Sequence, residues 1–254
     1  MRYGPDHAEV YDVVFRSRGK SFEAEAEAVA GLIRARLPGA TSVLDVACGT
    51  GAHLETLAAL FPDVAGLEYA PAMRAVAKQR LPGITVHAGD MRDFRLGRTF
   101  DAVVCMGNSV ACVSSTAELD AAIGRMAAHL GPGGVLIVEP WWFPDNFIDG
   151  YVGGHLVDAD GRIIARITHS SRQGDRTRME VKFVVADSTG IREFTDLLDV
   201  GLFGREQYLA AFARAGCTAE LLPGLSLQGG RPNSPGLFVG VASTAMSSAA
   251  GQGT

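Results

Sequence analysis

An acidic residue and two glycines lie close together after an apolar run in residues 42–54. Asp45 precedes Gly49 and Gly51, and a helical pattern starts directly after them. Glycine lacks a Cβ atom, so the backbone can adopt a positive φ and approach a ligand closely, while a helix start offers unpaired N–H groups. The segment therefore predicts a strand, a loop and a helix that bind a nucleotide-type ligand.

Two departures from the dinucleotide fingerprint indicate which nucleotide this is. The fingerprint requires a third glycine at the position of Leu54. Asp45 would repel a pyrophosphate, but it suits a ligand with an ammonium group, such as the methionine end of S-adenosylmethionine. We therefore predict S-adenosylmethionine rather than the cofactor of a nicotinamide oxidoreductase. Two glycines alone are also typical of a plain strand-to-helix turn.

Two further acids end the next two predicted strands. Glu68 lies at the spacing, about 20 residues beyond the glycines, at which a carboxylate can accept both ribose hydroxyls of an adenosine. Asp90 can accept the adenine amino hydrogens, and Met91 can lie on the purine face. An aspartate at position 90 can equally cap the turn before Phe94.

Alternating strands and helices must position these residues. Residues 42–140 contain five such alternations, which predict an α/β fold with a doubly wound parallel sheet. The loop after the fourth strand carries Ser109 and Cys112 at the carboxyl edge, where open parallel sheets bind ligands. A helix from Leu119 to Leu130 is expected to close at the glycine-rich residues 131–134, before the fifth strand. That strand ends in Glu139, which can attract an amine or pair structurally.

The pattern changes after residue 140. Residues 141–200 contain strands with alternating apolar and polar residues, separated by turns at 173–175 and 188–190. This pattern predicts an antiparallel insertion. Trp141 and Trp142 open this insertion and predict a substrate wall, although packing against the sheet is the alternative for at least one of them.

The remaining segments flank these two units. Residues 1–20 look too irregular for one long helix and predict a lid; the alternative is a surface helix that packs Tyr11 and Phe15 inward. Ser21 is expected to cap a helix that starts the cofactor-binding core at 21–140. Residues 201–242 complete the core sheet, and we expect the small, polar tail 243–254 to be disordered.

The amino-acid composition limits the classes of partner that this protein can bind. The 254 residues have a net charge of −5 and are 47% hydrophobic, which gives no overall field for nucleic acid or an anionic membrane. The four cysteines form no C-x-x-C pair, so we expect reduced thiols and neither disulfides nor zinc. We find no signal core and no apolar run of about 18 residues, so we predict a cytoplasmic protein that acts on a small molecule.

The motifs resemble a known family. Residues 45–51 with Glu68 are similar to class I S-adenosylmethionine-dependent methyltransferases, and residues 89–98, 138–144 and 236–240 resemble the TDP-amino-sugar N,N-dimethyltransferases of the desosamine and mycaminose type. The resemblance spans residues 5–242. It implies a seven-stranded, mostly parallel sheet with an antiparallel β insertion, which in some members forms a homodimer.

The resemblance also implies a reaction. The substrate would be a TDP-linked 3-amino-3,6-dideoxyhexose, methylated twice on one nitrogen for an antibiotic sugar. Such a transfer is an in-line displacement that proximity and orientation can drive without an essential base. Methylation at another sugar position (a 4-amino group, an oxygen or a carbon) or of a polyketide stays open, as does a nucleotide-binding module without enzymatic activity.

Site residues follow from the resemblance position by position. A family histidine can stand where this chain has Cys112, while Ser109 keeps the expected hydroxyl and Tyr3 matches a tyrosine of the N-terminal lid, so these three are the catalytic candidates. A family arginine is replaced by Pro235, which shifts phosphate binding to other arginines. The substrate-binding candidates are Trp141, Trp142, Arg166, Arg178 and Arg231. The cofactor-binding candidates are Asp45, Ala47, Gly49, Gly51, Glu68, Tyr69, Met73, Asp90, Met91, Met106, Tyr11 and Lys20.

Overall fold

The computed structural model describes residues 3–228 and 233–244, which form two β-sheets and their helices. The strands are β1 Ser42–Val46, β2 Asp63–Glu68, β3 Thr85–Ala88, β4 Phe100–Cys105, β5 Leu130–Val138, β6 Tyr151–Ala159, β7 Arg162–Gln173, β8 Arg176–Asp187, β9 Gly190–Gly201, β10 Cys217–Leu222 and β11 Leu237–Ala242. The helices are α1 Pro5–Ser17, α2 Phe22–Arg36, α3 Ala52–Leu60, α4 Pro71–Arg80, α5 Thr116–Ala127 and α6 Arg205–Arg214, with a 3₁₀ turn at Ser109–Cys112.

The larger sheet has the strand order β10-β11-β5-β4-β1-β2-β3. Strands β1 to β5 run parallel, while β11 is antiparallel to both β5 and β10. The prediction of a doubly wound, mostly parallel seven-stranded sheet is confirmed. The chain order reverses beside β1, since β2 lies on one side of it and β4 on the other. A ligand crevice forms at such a switch point.

Helices cover both faces of this sheet. One core joins the sheet to α5 and α6 through residues such as Ile123 and Phe212, and the other joins it to α2, α3 and α4 through Ile33, Leu54 and Ala77. Because both faces are buried, β1 is buried along its whole length.

The predicted antiparallel insertion is confirmed as a four-stranded sheet in the order β6-β7-β8-β9. Its inner face carries Ile164, Val181 and Phe183, which pack against Val10 and Val14 of α1. Its outer face carries six exposed apolar side chains, because side chains on a strand alternate between the two faces. These are Val152, Leu156, Ile163, Ile167, Ile191 and Leu197.

Several local predictions hold and others are wrong. Ser21 caps α2, since its side chain accepts a hydrogen bond from the Ala24 N–H at 3.1 Å. The N-terminal segment, expected to be too irregular for one helix, forms the 13-residue α1 because Pro5 occupies its first turn and its apolar residues face the insertion. Residues 131–134 lie within β5 rather than at the end of α5, beside a register irregularity between β4 and β5.

Other elements were missed or cannot be compared. Strands β6 and β10 were not predicted, because their apolar residues are interrupted by glycine and polar residues. The tail prediction falls almost entirely on residues 245–254, which lie outside the described residues. Within the described residues, no helix combines the length and hydropathy needed to cross a bilayer.

Candidate active site

The glycine loop joins β1 to α3 through three residues with positive φ. Ala47, Gly49 and Gly51 have φ values of 57°, 58° and 78°, and Gly51 directly precedes the first residue of α3. Ala47 carries a side chain in a left-handed conformation that favours glycine, so the loop stores some strain. The N–H of Cys48 donates to the Leu67 carbonyl at 3.1 Å, which ties the loop to β2. The predicted strand, loop and helix are confirmed.

Asp45 is a buried carboxylate that lacks a full set of partners. The residue is 1% exposed, and its Oδ2 has no hydrogen-bond partner among the described residues. Burial, with a smaller contribution from the nearby Glu68 carboxylate, raises the pKa of Asp45 to about 8. An orphaned carboxylate beside a glycine loop fits a ligand that brings a positive charge, such as the ammonium group of S-adenosylmethionine.

Glu68 ends β2 and faces the same loop. Its Oε2 accepts from the Gly49 N–H at 2.9 Å, and its Oε1 accepts from the Ala70 N–H at 2.6 Å. Burial raises the pKa of Glu68, and these two backbone donors oppose that shift. Each oxygen keeps a second lone pair, so the fixed carboxylate can still accept from two ribose hydroxyls.

Asp90 is engaged by its own turn. Its carboxylate accepts from the Arg92 N–H at 3.0 Å and from the Arg92 guanidinium, with a shortest contact of 2.6 Å. The hydrogen bonds from the Arg92 side chain hold the pKa of Asp90 below its usual range. The structure thus shows the turn-capping alternative for Asp90, with Met91 partly buried beside the core.

A cavity of about 420 Å³ opens between the carboxyl edge of the larger sheet, α1 and the inner face of the insertion. Gly107 and Asn108 line it from the loop after β4, and Lys20 lines it from the N-terminal side. The other predicted residues on its wall are Tyr3, Tyr11, Trp141, Trp142 and Arg166. The structure therefore brings the sequence-predicted aromatic residues together with a guanidinium in one cleft.

Arg166 is the unusual cation of this cleft. It is 8% exposed and has no carboxylate partner among the described residues. Burial, followed by repulsion from Arg18, lowers the pKa of Arg166 to about 10, so the side chain stays charged at neutral pH. A second cavity of about 390 Å³ adjoins the first, and both are lined by Arg18, Tyr151 and Arg166. A buried, unpaired guanidinium between two cavities suits an anionic ligand that spans both.

Comparison with known proteins agrees with this geometry. Residues 43–134 match a family model described as a methyltransferase domain. The chain is 52% identical, over 94% of its length and 99% of the relative's, to the dTDP-3-amino-3,4,6-trideoxy-alpha-D-glucopyranose N,N-dimethyltransferase of Streptomyces venezuelae. It is 48% identical, over 94% of both chains, to the dTDP-4-amino-2,3,4,6-tetradeoxy-D-glucose N,N-dimethyltransferase of Saccharopolyspora spinosa.

A solved structure is similar over the same span. It is S-adenosylmethionine-bound CalS10, an amino pentose methyltransferase of calicheamicin biosynthesis from Micromonospora echinaspora, with a TM-score of 0.83 and 54% identity over 92% of this chain and 97% of that one. The chain belongs to the TDP-amino-sugar N,N-dimethyltransferase family. It is therefore an S-adenosylmethionine-dependent N-methyltransferase, as its sequence predicts.

Not every candidate reaches the cleft of this N,N-dimethyltransferase. Arg178 is exposed and pairs in register with Ser171 and Asp199, whereas the neighbouring Met179 lines the cavity, so strand alternation turns Arg178 to the outer face. Arg231 lies outside the described residues. Ser109 and Cys112 lie in the 3₁₀ turn after β4, half-buried beside the cavity rather than on its wall.

The remaining candidates lie at several places around the cleft. Met73 and Met106 are buried in the cores beneath it, while Tyr69 is partly exposed where β2 meets α4. Glu139 accepts from the Gly107 N–H at 2.7 Å and from the Asn233 amide at 2.8 Å, so it anchors the loop after β4. Lys20 is buried in an ion pair of 2.6 Å with Glu25.

The sequence interpretation missed the pairing of His7 with Asp196. His7 lines the cavity, and its Nδ1 pairs with the Asp196 Oδ2, 189 positions further along the chain. A single histidine in a segment interpreted as a lid, and an aspartate in a predicted strand, give no local signal of such a pair.

The burial of Asp45 predicts a pH effect on the enzyme without its ligands. The folded-state pKa of about 8 lies above the value of about 3.9 for an unfolded aspartate, so the folded state keeps a proton that the unfolded chain releases. This contribution is fully present below about pH 4 and is lost as the pH rises through 8. We expect Asp45→Asn to be more stable than the wild type at pH 9, with a much smaller difference at pH 5, as measured by urea unfolding.

The control for this experiment is Asp120→Asn, which alters an exposed ion pair with Arg214 at 2.6 Å. That change should be nearly neutral at both pH values. An Asp45→Asn difference that is the same at pH 5 and pH 9 would contradict the raised pKa.

Proposed function

We propose that this enzyme transfers two methyl groups from S-adenosylmethionine to the amino nitrogen of a TDP-linked 3-amino-3,6-dideoxyhexose for an antibiotic sugar. The observation that carries this proposal is the buried Arg166, which has no carboxylate partner among the described residues and lies in an aromatic cavity at the carboxyl edge of the sheet. Two relatives are named for TDP-linked amino sugars, one with a 3-amino and one with a 4-amino group. A 4-amino sugar is therefore the second candidate.

We assign the cofactor to the edge formed by β1 and β2. Asp45 would neutralise the ammonium group, and Glu68 would accept the ribose hydroxyls. The loop glycines allow close approach of the backbone, and the start of α3 offers N–H donors to the carboxylate. S-adenosylmethionine supplies an electrophilic methyl group on sulfur. The protein must then exclude water and hold the acceptor nitrogen in line.

We assign the sugar nucleotide to the two adjoining cavities. The amino sugar would lie against Tyr3, Trp141 and Trp142 near the loop after β4, and the diphosphate would reach Arg166 at the junction of the cavities. The indole N–H of Trp141 is buried without a hydrogen-bond partner among the described residues, so it is available to a sugar oxygen. An aromatic wall also favours the neutral form of an amine, which is the nucleophile.

The candidates near the amine are poor bases at neutral pH. Burial raises the pKa of the Cys112 thiol to about 11, and it raises the pKa values of the Tyr3 and Tyr11 phenols above their usual range. These groups therefore stay protonated. Proximity and orientation, worth about 7–11 kcal/mol in favourable cases, account for the methyl transfer itself.

We further propose that different parts of the chain have different roles. Residues 1–20 would act as a lid over the cleft, residues 21–140 and 201–242 as the cofactor-binding core, and residues 141–200 as the substrate and dimerisation unit. The position of α1 across the cavity supports the first assignment. We also propose a cytoplasmic location, because no disulfide joins cysteines among the described residues.

The decisive experiment is incubation with S-adenosylmethionine and a panel of TDP-3-amino and TDP-4-amino deoxysugars, followed by mass spectrometry. The proposal expects gains of one and then two methyl groups on a 3-amino sugar. Gain only on a 4-amino sugar would favour the second candidate. No gain on any sugar of the panel would overturn the proposed function.

Glu68→Ala tests the cofactor assignment. It removes acceptors of hydrogen bonds worth about 1.5–3 kcal/mol each, so calorimetry should show at least a tenfold weaker affinity for S-adenosylmethionine. The matched control is Glu55→Ala on the exposed side of α3, which should bind as the wild type does. Unchanged affinity in a folded Glu68→Ala protein would remove Glu68 from the ribose site.

Arg166→Gln tests the diphosphate assignment against Arg178→Gln on the opposite face of the insertion. Loss of a buried charged donor should raise the KM for the TDP-sugar by about ten- to a hundredfold while kcat changes little. Arg178→Gln should leave both constants unchanged. Equal effects of the two variants would argue that the diphosphate binds elsewhere.

A homodimer through the outer face of the insertion completes the proposal. The six apolar side chains on this face are 48% to 78% exposed, which is unusual for side chains aligned on one sheet surface. A second copy would cover them with a self-complementary patch. Light scattering should give twice the chain mass, and Ile167→Glu should give the mass of a monomer. A monomeric wild type at micromolar concentration would refute this arrangement.

A further inference from the structure

His7 is a buried imidazole on the wall of the cavity. It lies in α1 and is 5% exposed. Its ring meets the Tyr3 ring edge-on at 4.4 Å between centroids and the Phe183 ring at 5.1 Å. Tyr11 and Phe194 lie further out, with centroids at 5.7 and 6.4 Å. Four aromatic rings thus fix the imidazole beside the region assigned to the amino sugar.

Asp196 fixes which ring nitrogen carries the proton. The Nδ1 of His7 is paired with the Oδ2 of Asp196 on β9. An ionised carboxylate only accepts hydrogen bonds, so in the neutral imidazole the proton lies on Nδ1 and the lone pair on Nε2. The same carboxylate would stabilise the imidazolium that forms when Nε2 takes up a proton. This arrangement of carboxylate and imidazole is the one that general-base histidines use.

The other groups of the cavity cannot take this role at neutral pH. Tyr3, Tyr11 and Cys112 hold their protons, as described above. Arg18 and Arg166 are cations, and Lys20 is engaged by Glu25. Imidazole is the side chain that changes charge in this pH range. His7 is the only imidazole among the described residues that line the 420 Å³ cavity.

We propose that His7, positioned by Asp196, accepts the proton that the sugar amine must lose before each methyl transfer; this inference rests on the proposed function. The N–H bond of the ammonium form breaks, its electron pair stays on nitrogen, and an N–H bond forms at Nε2 of His7. The first methylation regenerates an ammonium group, which must lose a proton before the second. The proton on His7 leaves to solvent when the cleft opens between rounds.

Few other charged or titratable groups face this imidazole. From β9 it meets Asp196, from β8 the uncharged Phe183, and from its own segment the phenols of Tyr3 and Tyr11. On the outer side of α1, Asp6 and Glu9 are engaged by Arg192, at 4.0 and 2.8 Å. Asp196 is therefore the only carboxylate in contact with the His7 ring among the described residues.

The test is His7→Asn, which can still donate to Asp196 but cannot take up a proton. We expect each of the two methyl transfers at pH 7 to slow by about a hundredfold, within the usual range for loss of general-base catalysis. The rate of the variant should rise tenfold per pH unit over a range in which the rate of the wild type is nearly flat. Calorimetry should show the same affinity for S-adenosylmethionine as the wild type.

Two further variants keep the proposal falsifiable. Asp196→Asn retains a hydrogen-bonding side chain but loses the charge, and it should show the same pH-dependent defect at smaller size. His169→Asn, on the exposed outer face of β7, should match the wild type throughout. Wild-type rates and pH profiles in either His7→Asn or Asp196→Asn would overturn the proposal. A wild type that methylates no amino sugar would instead overturn the proposed function.

Discussion

The burial of carboxylates at one edge of the parallel sheet is the constraint on which this enzyme depends. Strands β1, β2 and β5 lead into Asp45, Glu68 and Glu139, and all three residues are less than 10% exposed. Burying a carboxylate is costly unless donors surround it. Glu68 and Glu139 receive donors from the glycine loop and from the loop after β4. These hydrogen bonds hold the two loops in place, whereas the Oδ2 of Asp45 has no hydrogen-bond partner among the described residues.

The antiparallel insertion and α1 cover this open edge and form a cavity against it. The sheet edge offers cofactor chemistry, but the aromatic wall and Arg166 come from elements outside it. Val10 and Val14 hold α1 on the inner face of the insertion, and Tyr3, His7 and Tyr11 enter the cavity from the same segment. Packing that stabilises α1 thus also places three residues that line the cavity.

The strand, loop and helix around the glycines could be predicted from the sequence, but much of the cavity between the larger sheet and the insertion could not. Asp45, Gly49, Gly51 and Glu68 lie together because of their local spacing, which periodicity and turn chemistry reveal. Arg166 and Arg178 look equivalent in a strand pattern, and only the register decides which of them faces the cavity. The pairing of His7 with Asp196 spans 189 positions, so only tertiary packing could reveal it.

The alternation of side chains along strand β7 affects both faces of the insertion. Its even-numbered residues Arg166 and Thr168 face the cleft, and its odd-numbered residues Ile163 and Ile167 face outward. A shift of the chain by one position would therefore bury isoleucines in the cavity and expose the guanidinium, exchanging the two faces at once. A change of two positions would preserve both. A single-residue insertion or deletion within β7 should therefore be poorly tolerated during evolution or engineering, because it would change the cavity and the outer face together.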